Sequence, residues 1–424
     1  MNLAGVAPWI HWRGALVLVL LVGGNFFCMA CPFTLPRTLA RRWLPARFSW
    51  PRWLSNKWLA VLLVGVFMWS YEAFALWDSP WLTAWIALGY FAAAFVVDGL
   101  FRSTPFCKYV CPIGQFNFVQ SLVSPWQVAV RDSGRCSSCR TRECIRGAPA
   151  IAGCEMQLFQ PRKQGNLDCT FCLDCARACP HQNVGVLAVA PGQQLWSDRL
   201  RSGVGRWSSR PDVATLVVVL AFGAVANAGG MVGPVVTWLE QARSRLGDPS
   251  WLAMATLYYL LALVALPVVA VGLAAIVSRA WGQLPHSRAI VATRFAFALV
   301  PIGFSMWSAH YAFHFLTSFD TIVPVTQRFV ADLGSDALGE PLWQLACCRP
   351  ASSWLTHLQV LMLDCGMLMS LYAGYRIAED MAPGKRRLLR AFAPWAVLIV
   401  LLFVAGVWIV YQPMEMRGTL EMAG

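Results

Sequence analysis

Eight stretches of the chain stay apolar for about 20 residues at a time, near positions 14–33, 58–77, 81–100, 212–236, 251–276, 292–317, 353–375 and 391–412. About 20 residues of α-helix rise about 30 Å, the thickness of a bilayer's hydrocarbon core, so each stretch predicts a transmembrane helix. The interval 101–211 has no such run and is polar and cysteine-rich. The expected architecture is an all-α polytopic membrane protein of about eight helices, with a small α+β domain inserted after the third.

Composition supports the membrane assignment: 58% of the residues are hydrophobic, 21 are Trp, and only 13% are charged. A soluble chain of this length carries about 25% charged residues. The net charge of +13 is explained by where the basic residues sit. With the N-terminus outside, 28 of the 34 Lys and Arg fall in inner segments, and only Arg13, Arg243, Arg245, Arg328, Arg349 and Arg417 fall outside. Basic residues stay cytoplasmic during insertion, so both termini are expected in the periplasm and the 101–211 interval in the cytoplasm of a bacterial inner membrane. The charge therefore reports topology and attraction to lipid headgroups and gives no reason to expect nucleic acid. Residues 14–30, with Arg13 before them and a small residue before Cys31, imitate a cleaved signal. Cleavage would leave the six basic residues from Arg37 to Lys57 outside, so the segment reads as a retained first helix.

Eight of the fifteen cysteines lie between Cys136 and Cys179. Cys169-x-x-Cys172-x-x-Cys175-x-x-x-Cys179-Pro180 is the bacterial ferredoxin run, in which three thiolates hold one [4Fe–4S] cube and the fourth reaches its neighbour. Cys136, Cys139, Cys144 and Cys154 form a looser copy. The crossed rule assigns Cys136, Cys139, Cys144 and Cys179 to one cluster and Cys169, Cys172, Cys175 and Cys154 to the other. The competing readings are a zinc site, which leaves four thiols idle, and disulfides, which a reducing compartment disfavours.

Two further cysteine pairs close the first and third apolar runs: Cys28-Met29-Ala30-Cys31-Pro32 and Cys107-Lys108-Tyr109-Val110-Cys111-Pro112. Both runs point the same way, so neighbouring helices would bring Cys28, Cys31, Cys107 and Cys111 to one centre. A third iron–sulfur cluster, a redox-active dithiol and plain packing all remain open for these four. These CxxCP and CxxxCP endings, followed by a ferredoxin-type segment, resemble the NapH, NosR and FixG type of membrane ferredoxin over about residues 20–185. The resemblance implies electron passage between the quinol pool, iron–sulfur centres and periplasmic redox enzymes, or support for copper-enzyme maturation. The first motif departs by one residue, CxxC where the family has CxxxC.

Ionisable side chains inside a bilayer are candidates for function. His310 and His314 are spaced i, i+4 in the sixth apolar run; His357 and Asp364 lie in the seventh, followed by Cys365. His310, His314, His357 and Asp364 are thus expected to form a site in the outer half. That site would ligate a b-type haem through its histidines or accept protons from a quinol, while helix packing is the plainer reading. Cys347-Cys348, in the loop before the seventh run, is open to copper binding, a disulfide or partner contact.

The expected parts are residues 1–125 (three-helix membrane part), 126–190 (ferredoxin-like domain), 191–211 (polar linker) and 212–424 (five-helix membrane part). The expected function is an oxidoreductase component that transfers electrons between cytoplasmic-side [4Fe–4S] clusters and a quinone or a periplasmic-side redox partner, such as a cytochrome or metalloenzyme, as part of a complex with a redox protein. A maturation factor that reduces copper or thiols for a metalloenzyme is the alternative. A transporter is disfavoured, because the two halves show no repeat and a carrier has no use for eight cluster cysteines.

Overall fold

The computed structural model describes residues 1–44, 46–346 and 353–414, so Cys347 and Cys348 lie outside the described residues. The chain is mostly helical. We number the helices that matter below α1 (Leu3–Gly23), α2 (Trp58–Ala73), α3 (Pro80–Leu100), α4 (Pro112–Gln120), α5 (Pro211–Gly229), α6 (Trp251–Gly282), α7 (Arg288–Thr317), α8 (Ser353–Met381) and α9 (Lys385–Tyr411). Seven of them, all but α2 and α4, are long and apolar enough to cross a membrane, and the chain is a membrane protein.

Two apolar runs depart from expectation. The second stops at Ala73, giving α2 16 residues, which rise about 24 Å, short of the hydrocarbon thickness. The chain turns there because Ala75 adopts φ +45°, and it re-enters α3 with the Ser79 hydroxyl accepting from Leu82 N and Pro80 at the first helical position. The first run begins earlier, at Leu3, and ends at Gly24, whose φ is +69° and where a Cβ would stand 2.8 Å from Ser124 Oγ. Cys28 therefore sits on a separate turn, Phe26–Met29, and not on the transmembrane helix itself.

Helices α5 and α7 form the centre of the bundle, with 89% and 83% of their apolar windows buried. Small residues let the neighbours approach α7. A Cβ at Gly14 of α1 would lie 2.3 Å from Phe315, and one at Gly366 of α8 would lie 2.2 Å from Ser305 Oγ. Backbones this close suit a medium in which helices associate by packing rather than by expelling water.

On the side where α1 and α3 end, α4 leads into strand β1 (Trp126–Val130). It pairs antiparallel with β2 (Val184–Ala188), Trp126 opposite Ala188 and Val130 opposite Val184. This two-stranded ribbon brackets the eight-cysteine segment. A buried ion pair ties that segment to the helices: Lys57, at the start of α2, donates to Asp168 Oδ1 at 2.5 Å and to Lys108 O at 2.6 Å, with 1% of Lys57 and 2% of Asp168 exposed. The Lys57 backbone N–H donates in turn to Asp212 of α5 at 2.7 Å. Residues 191–210 are packed rather than loose. The Arg201 guanidinium donates to the carbonyls of Gln194, Ser197 and Arg199 and stacks on Trp207, which stacks on Phe297 of α7.

Candidate functional site: cysteine centres and an intramembrane cavity

The loop geometry around the cysteines follows from backbone conformations that side chains normally avoid. Among the described residues, six of the ten non-glycine positions with positive φ fall here: Arg142, Gln157, Asp168, Phe171, Leu173 and Gln182. Left-handed turns of this kind aim successive N–H groups into one concavity, a cradle for anionic ligands. Strain of that sort persists where the surroundings over-determine it. The N–H groups do point at sulfur: Leu158 N lies 3.4 Å from Cys154 Sγ, and Asn183 N lies 3.4 Å from Cys179 Sγ. The Asn183 amide also donates to Cys136 Sγ at 3.3 Å.

The cysteines gather in two sets. Cys136 feels the charge of Cys179 and Cys139, and Cys144 feels all three. Cys154 feels Cys169, while Cys175 feels Cys169, Cys154 and Cys172. Burial, reinforced by neighbouring thiolates, raises Cys175 well above the ordinary thiol range. Cys139, half-buried, goes the other way because the Arg142 backbone N–H stabilises its thiolate. Thiols crowded so that each opposes the ionisation of the next ionise together only when cationic charge sits among them. This donor chemistry fits an iron–sulfur cluster. Among the described residues, no three His, Cys, Asp or Glu converge as ligands of a single metal ion.

Cys28, Cys31, Cys107 and Cys111 line a cavity of about 180 Å³ together with Asn117, Thr170 and Cys172. The neighbours Cys28 and Cys111, Cys31 and Cys111, and Cys107 and Cys28 all interact electrostatically. Burial raises Cys28 and Cys107, reinforced at Cys107 by the Asp98 carboxylate and at both by neighbouring thiolates, and burial pushes Cys111 up to about 12. Two donors already face the sulfurs: Gly114 N to Cys111 Sγ and Asn117 Nδ2 to Cys28 Sγ, both at 3.3 Å. Gly114 is held close, since a Cβ there would meet Cys107 O at 3.1 Å. Asn25, completely buried, donates to the carbonyl of Cys169 and so joins this centre to the second cysteine set.

On the membrane side of that centre lies a larger cavity of about 500 Å³. Phe33 and Ile113 form part of both walls, and Pro32 and Pro112, the residues after Cys31 and Cys111, line the larger one. From there it runs along α1, α2, α3, α5 and α7 toward their opposite ends, past Phe91, Tyr90, Phe116 and Leu220 to Trp307, Tyr311, Asn227, Tyr71, Thr83, Arg13 and Trp9. The lining is apolar apart from a few polar groups at the far end. That is the usual make-up of a site for a small hydrophobic ligand.

The histidines do not all converge as the sequence leads one to expect. His310 is buried and His314 half-buried, and their rings meet edge to face with centroids 4.6 Å apart. His357 is exposed and its Nδ1 contacts Ser353 O on its own helix at 2.6 Å. The α8 residue that reaches the His310 turn is Gln359, whose amide donates to Ala309 O at 3.1 Å. Asp364 is half-buried and Cys365 exposed. The structure thus brings together His310 and His314 but not His357, and among the described residues these three give no facing pair of axial nitrogens for a haem. In the sequence Arg13 reads only as the charge before the first apolar run, and Asn25, Asn117 and Asn227 do not stand out as site residues. The signal for Arg13 was the apolar stretch Leu3–Trp12 before it, which places the arginine inside the helix.

The chain is 30% identical over 191 residues to the regulatory protein NosR of Pseudomonas aeruginosa PAO1, a stretch that covers 39% of this chain and 25% of NosR. It is 31% identical over 85 residues, 20% of this chain and 22% of the relative, to YccM of Escherichia coli K12, whose name places it in electron transport. The chain spans about a quarter or less of the length of these curated relatives, so the likeness to NosR-type membrane proteins is segmental. No known family profile and no solved structure matches the chain.

Proposed function

We propose that this protein is a membrane-bound iron–sulfur electron-transfer protein, an oxidoreductase component that exchanges electrons between cysteine-held clusters and a quinone in the 500 Å³ cavity. Residues 126–190 serve as its ferredoxin-like domain, with Cys136, Cys139, Cys144 and Cys179 holding one [4Fe–4S] cluster and Cys154, Cys169, Cys172 and Cys175 the other. Cys28, Cys31, Cys107 and Cys111 hold a third. Such clusters, when bound, supply one-electron chemistry at potentials set by hydrogen bonds to sulfur, charge and exposure. The names of the segmental relatives, one of them assigned to electron transport, agree with this reading.

One observation carries it. Cys172 shares a cavity with Cys28, Cys31, Cys107 and Cys111, and the walls of that cavity at Phe33 and Ile113 are also walls of the membrane cavity. Ferredoxin-type cysteines, the CxxCP and CxxxCP centre and a hydrophobic binding space thus abut in sequence. Phe106, Phe118 and Phe171 pack beside this route and are buried, while Cys172 is exposed at its outer end. With basic residues favouring the inner side, the cysteine end is cytoplasmic and the far end of the cavity opens toward the periplasmic half of a bacterial inner membrane.

Iron and acid-labile sulfide analysis tests the cofactor content. The expected result is about twelve of each per chain and a loss of about four iron atoms in Cys172→Ser with insertion retained. A wild-type content of about one zinc and no sulfide overturns the reading.

A further inference from the structure

We infer that the far end of the membrane cavity is a headgroup site for a hydroquinone, in which Arg13 donates to one ring oxygen and Asn227 accepts from a ring hydroxyl. This inference rests on the reading of the cavity as a quinone site. It assigns specific partners and an oxidation-state preference within it.

The argument begins with a charge in an unusual place. Arg13 lies within an apolar helix and lines the cavity. Among the described residues, no carboxylate stands within ion-pairing distance of it. Its guanidinium carbon instead lies 4.3 Å from the Trp9 and Tyr71 ring centroids and 5.3 Å from that of Tyr311. Aromatic faces stabilise the cation through its flat sides, but they accept none of its five in-plane N–H bonds. The cage is itself fixed: Trp9 Nε1 donates to Thr83 Oγ1 at 3.0 Å, and the Thr83 hydroxyl donates to Leu76 O at 2.7 Å. Arg13 is half-buried, and its rigidly framed in-plane N–H groups face the cavity, where they can donate to an acceptor on a ligand.

The second observation comes from a different helix. Asn227 of α5 lines the same cavity, is 7% exposed, and its Oδ1 has no hydrogen-bond partner. It supplies an acceptor where Arg13 supplies donors. Between them and the cysteine end the walls are apolar, formed by Ile86, Ala87, Leu16, Val64 and Phe116. A ligand that answers all of this has an oxygen acceptor, an O–H donor and a flat apolar body. A hydroquinone has all three; its oxidised quinone keeps the acceptors and loses the donor. A fatty acid would satisfy Arg13 but its carboxylate offers Asn227 no hydroxyl, and an anionic lipid with a hydroxylated headgroup lacks the flat ring and is separated by competition below.

Trp9, Trp12 and Trp307 line the cavity, so binding is read from quenching of intrinsic fluorescence in the purified full-length protein, without turnover. Decyl-ubiquinone and its quinol are titrated separately under anaerobic conditions. Arg13→Gln is expected to weaken both at least about tenfold, the scale of a lost hydrogen bond to a charged group. Arg13→Lys, which keeps a donor without the planar fork, should weaken both less. Asn227→Leu is expected to weaken the quinol about fivefold or more and leave the quinone unchanged. Iron content and elution volume of each variant report whether it has folded, and Arg13→Lys stands in if Arg13→Gln has not. Wild-type affinities retained in the Arg13 variants, or equal losses for both oxidation states in Asn227→Leu, overturn the assignment. Competition by phosphatidylglycerol that disappears in Arg13→Gln would make the site one for anionic lipid and would also overturn it. No saturable quenching of the wild type by either form refutes the quinone reading of the cavity itself.

Discussion

Replacing Lys57 by Met tests how the cysteine-rich segment is fastened to the membrane helices. The ammonium and the Asp168 carboxylate are 2.5 Å apart with 1% and 2% of their side chains exposed. Deleting one partner of a buried pair strands the other charge, a loss of about 3–5 kcal/mol. Lys108 Nζ, 3.9 Å from the second Asp168 oxygen, offsets part of that, so an effect near about 3 kcal/mol is expected. Asp168 adjoins Cys169, and Lys57 begins α2, so the damage should be local to these two elements. Hydrogen exchange followed by mass spectrometry reads local opening directly. At about 1.4 kcal/mol per tenfold, amides in the 166–172 and 57–61 peptides should exchange about 100-fold faster in Lys57→Met, with those of α9 unchanged. Asp168→Asn should do the same, and the double variant Lys57→Met with Asp168→Asn should open less than the sum of the two, because no charge is then left buried alone. Exchange in Lys57→Met within about threefold of wild type, or strictly additive effects, would refute the assignment of this pair as the fastening.

Three other outcomes follow. Asn117→Leu removes the 3.3 Å amide contact to Cys28 Sγ and should lower the potential of the centre at Cys28, because a hydrogen bond to sulfur stabilises the reduced, more negative state; a redox titration followed by electron spin resonance checks the sign, and iron content should stay at the wild-type value. His357→Ala, on an exposed face, should change neither quinol binding nor thermal stability beyond about 0.5 kcal/mol. Reporter fusions after Trp196 should be active only inside the cell and after Gln412 only outside; two inside reporters would contradict the proposed orientation.

Much of this architecture can be read from the residue pattern. Apolar run length predicts the helices because hydrocarbon thickness sets it. Helix rotation is less legible. His357 lies two residues from Gln359, which reaches the His310 turn, but the buried stripe of α8 runs through Leu355, Gln359, Leu363, Gly366 and Ser370, and a position two residues from Leu355 is turned about 200° away from it. That phase is set by Gly366 against Ser305 and by the Ser370 hydroxyl accepting from Ile302 N at 2.9 Å, contacts that no single run discloses. The cavity is hidden for the same reason, since its lining is drawn from positions as far apart as Ala4 and Tyr311. The early stop of α2 turns on the conformation of Ala75, a residue whose type gives no warning of a positive φ.

The most direct test of the account reduces the purified, iron-replete protein with dithionite, removes the excess, and adds a short-tailed quinone anaerobically while the visible cluster absorption is followed. The account predicts saturable reoxidation at a rate that tracks occupancy of the cavity, and a slower rate in Arg13→Gln at the same quinone concentration. Clusters that stay reduced, or reoxidise at a rate strictly proportional to quinone and indifferent to Arg13, would contradict it.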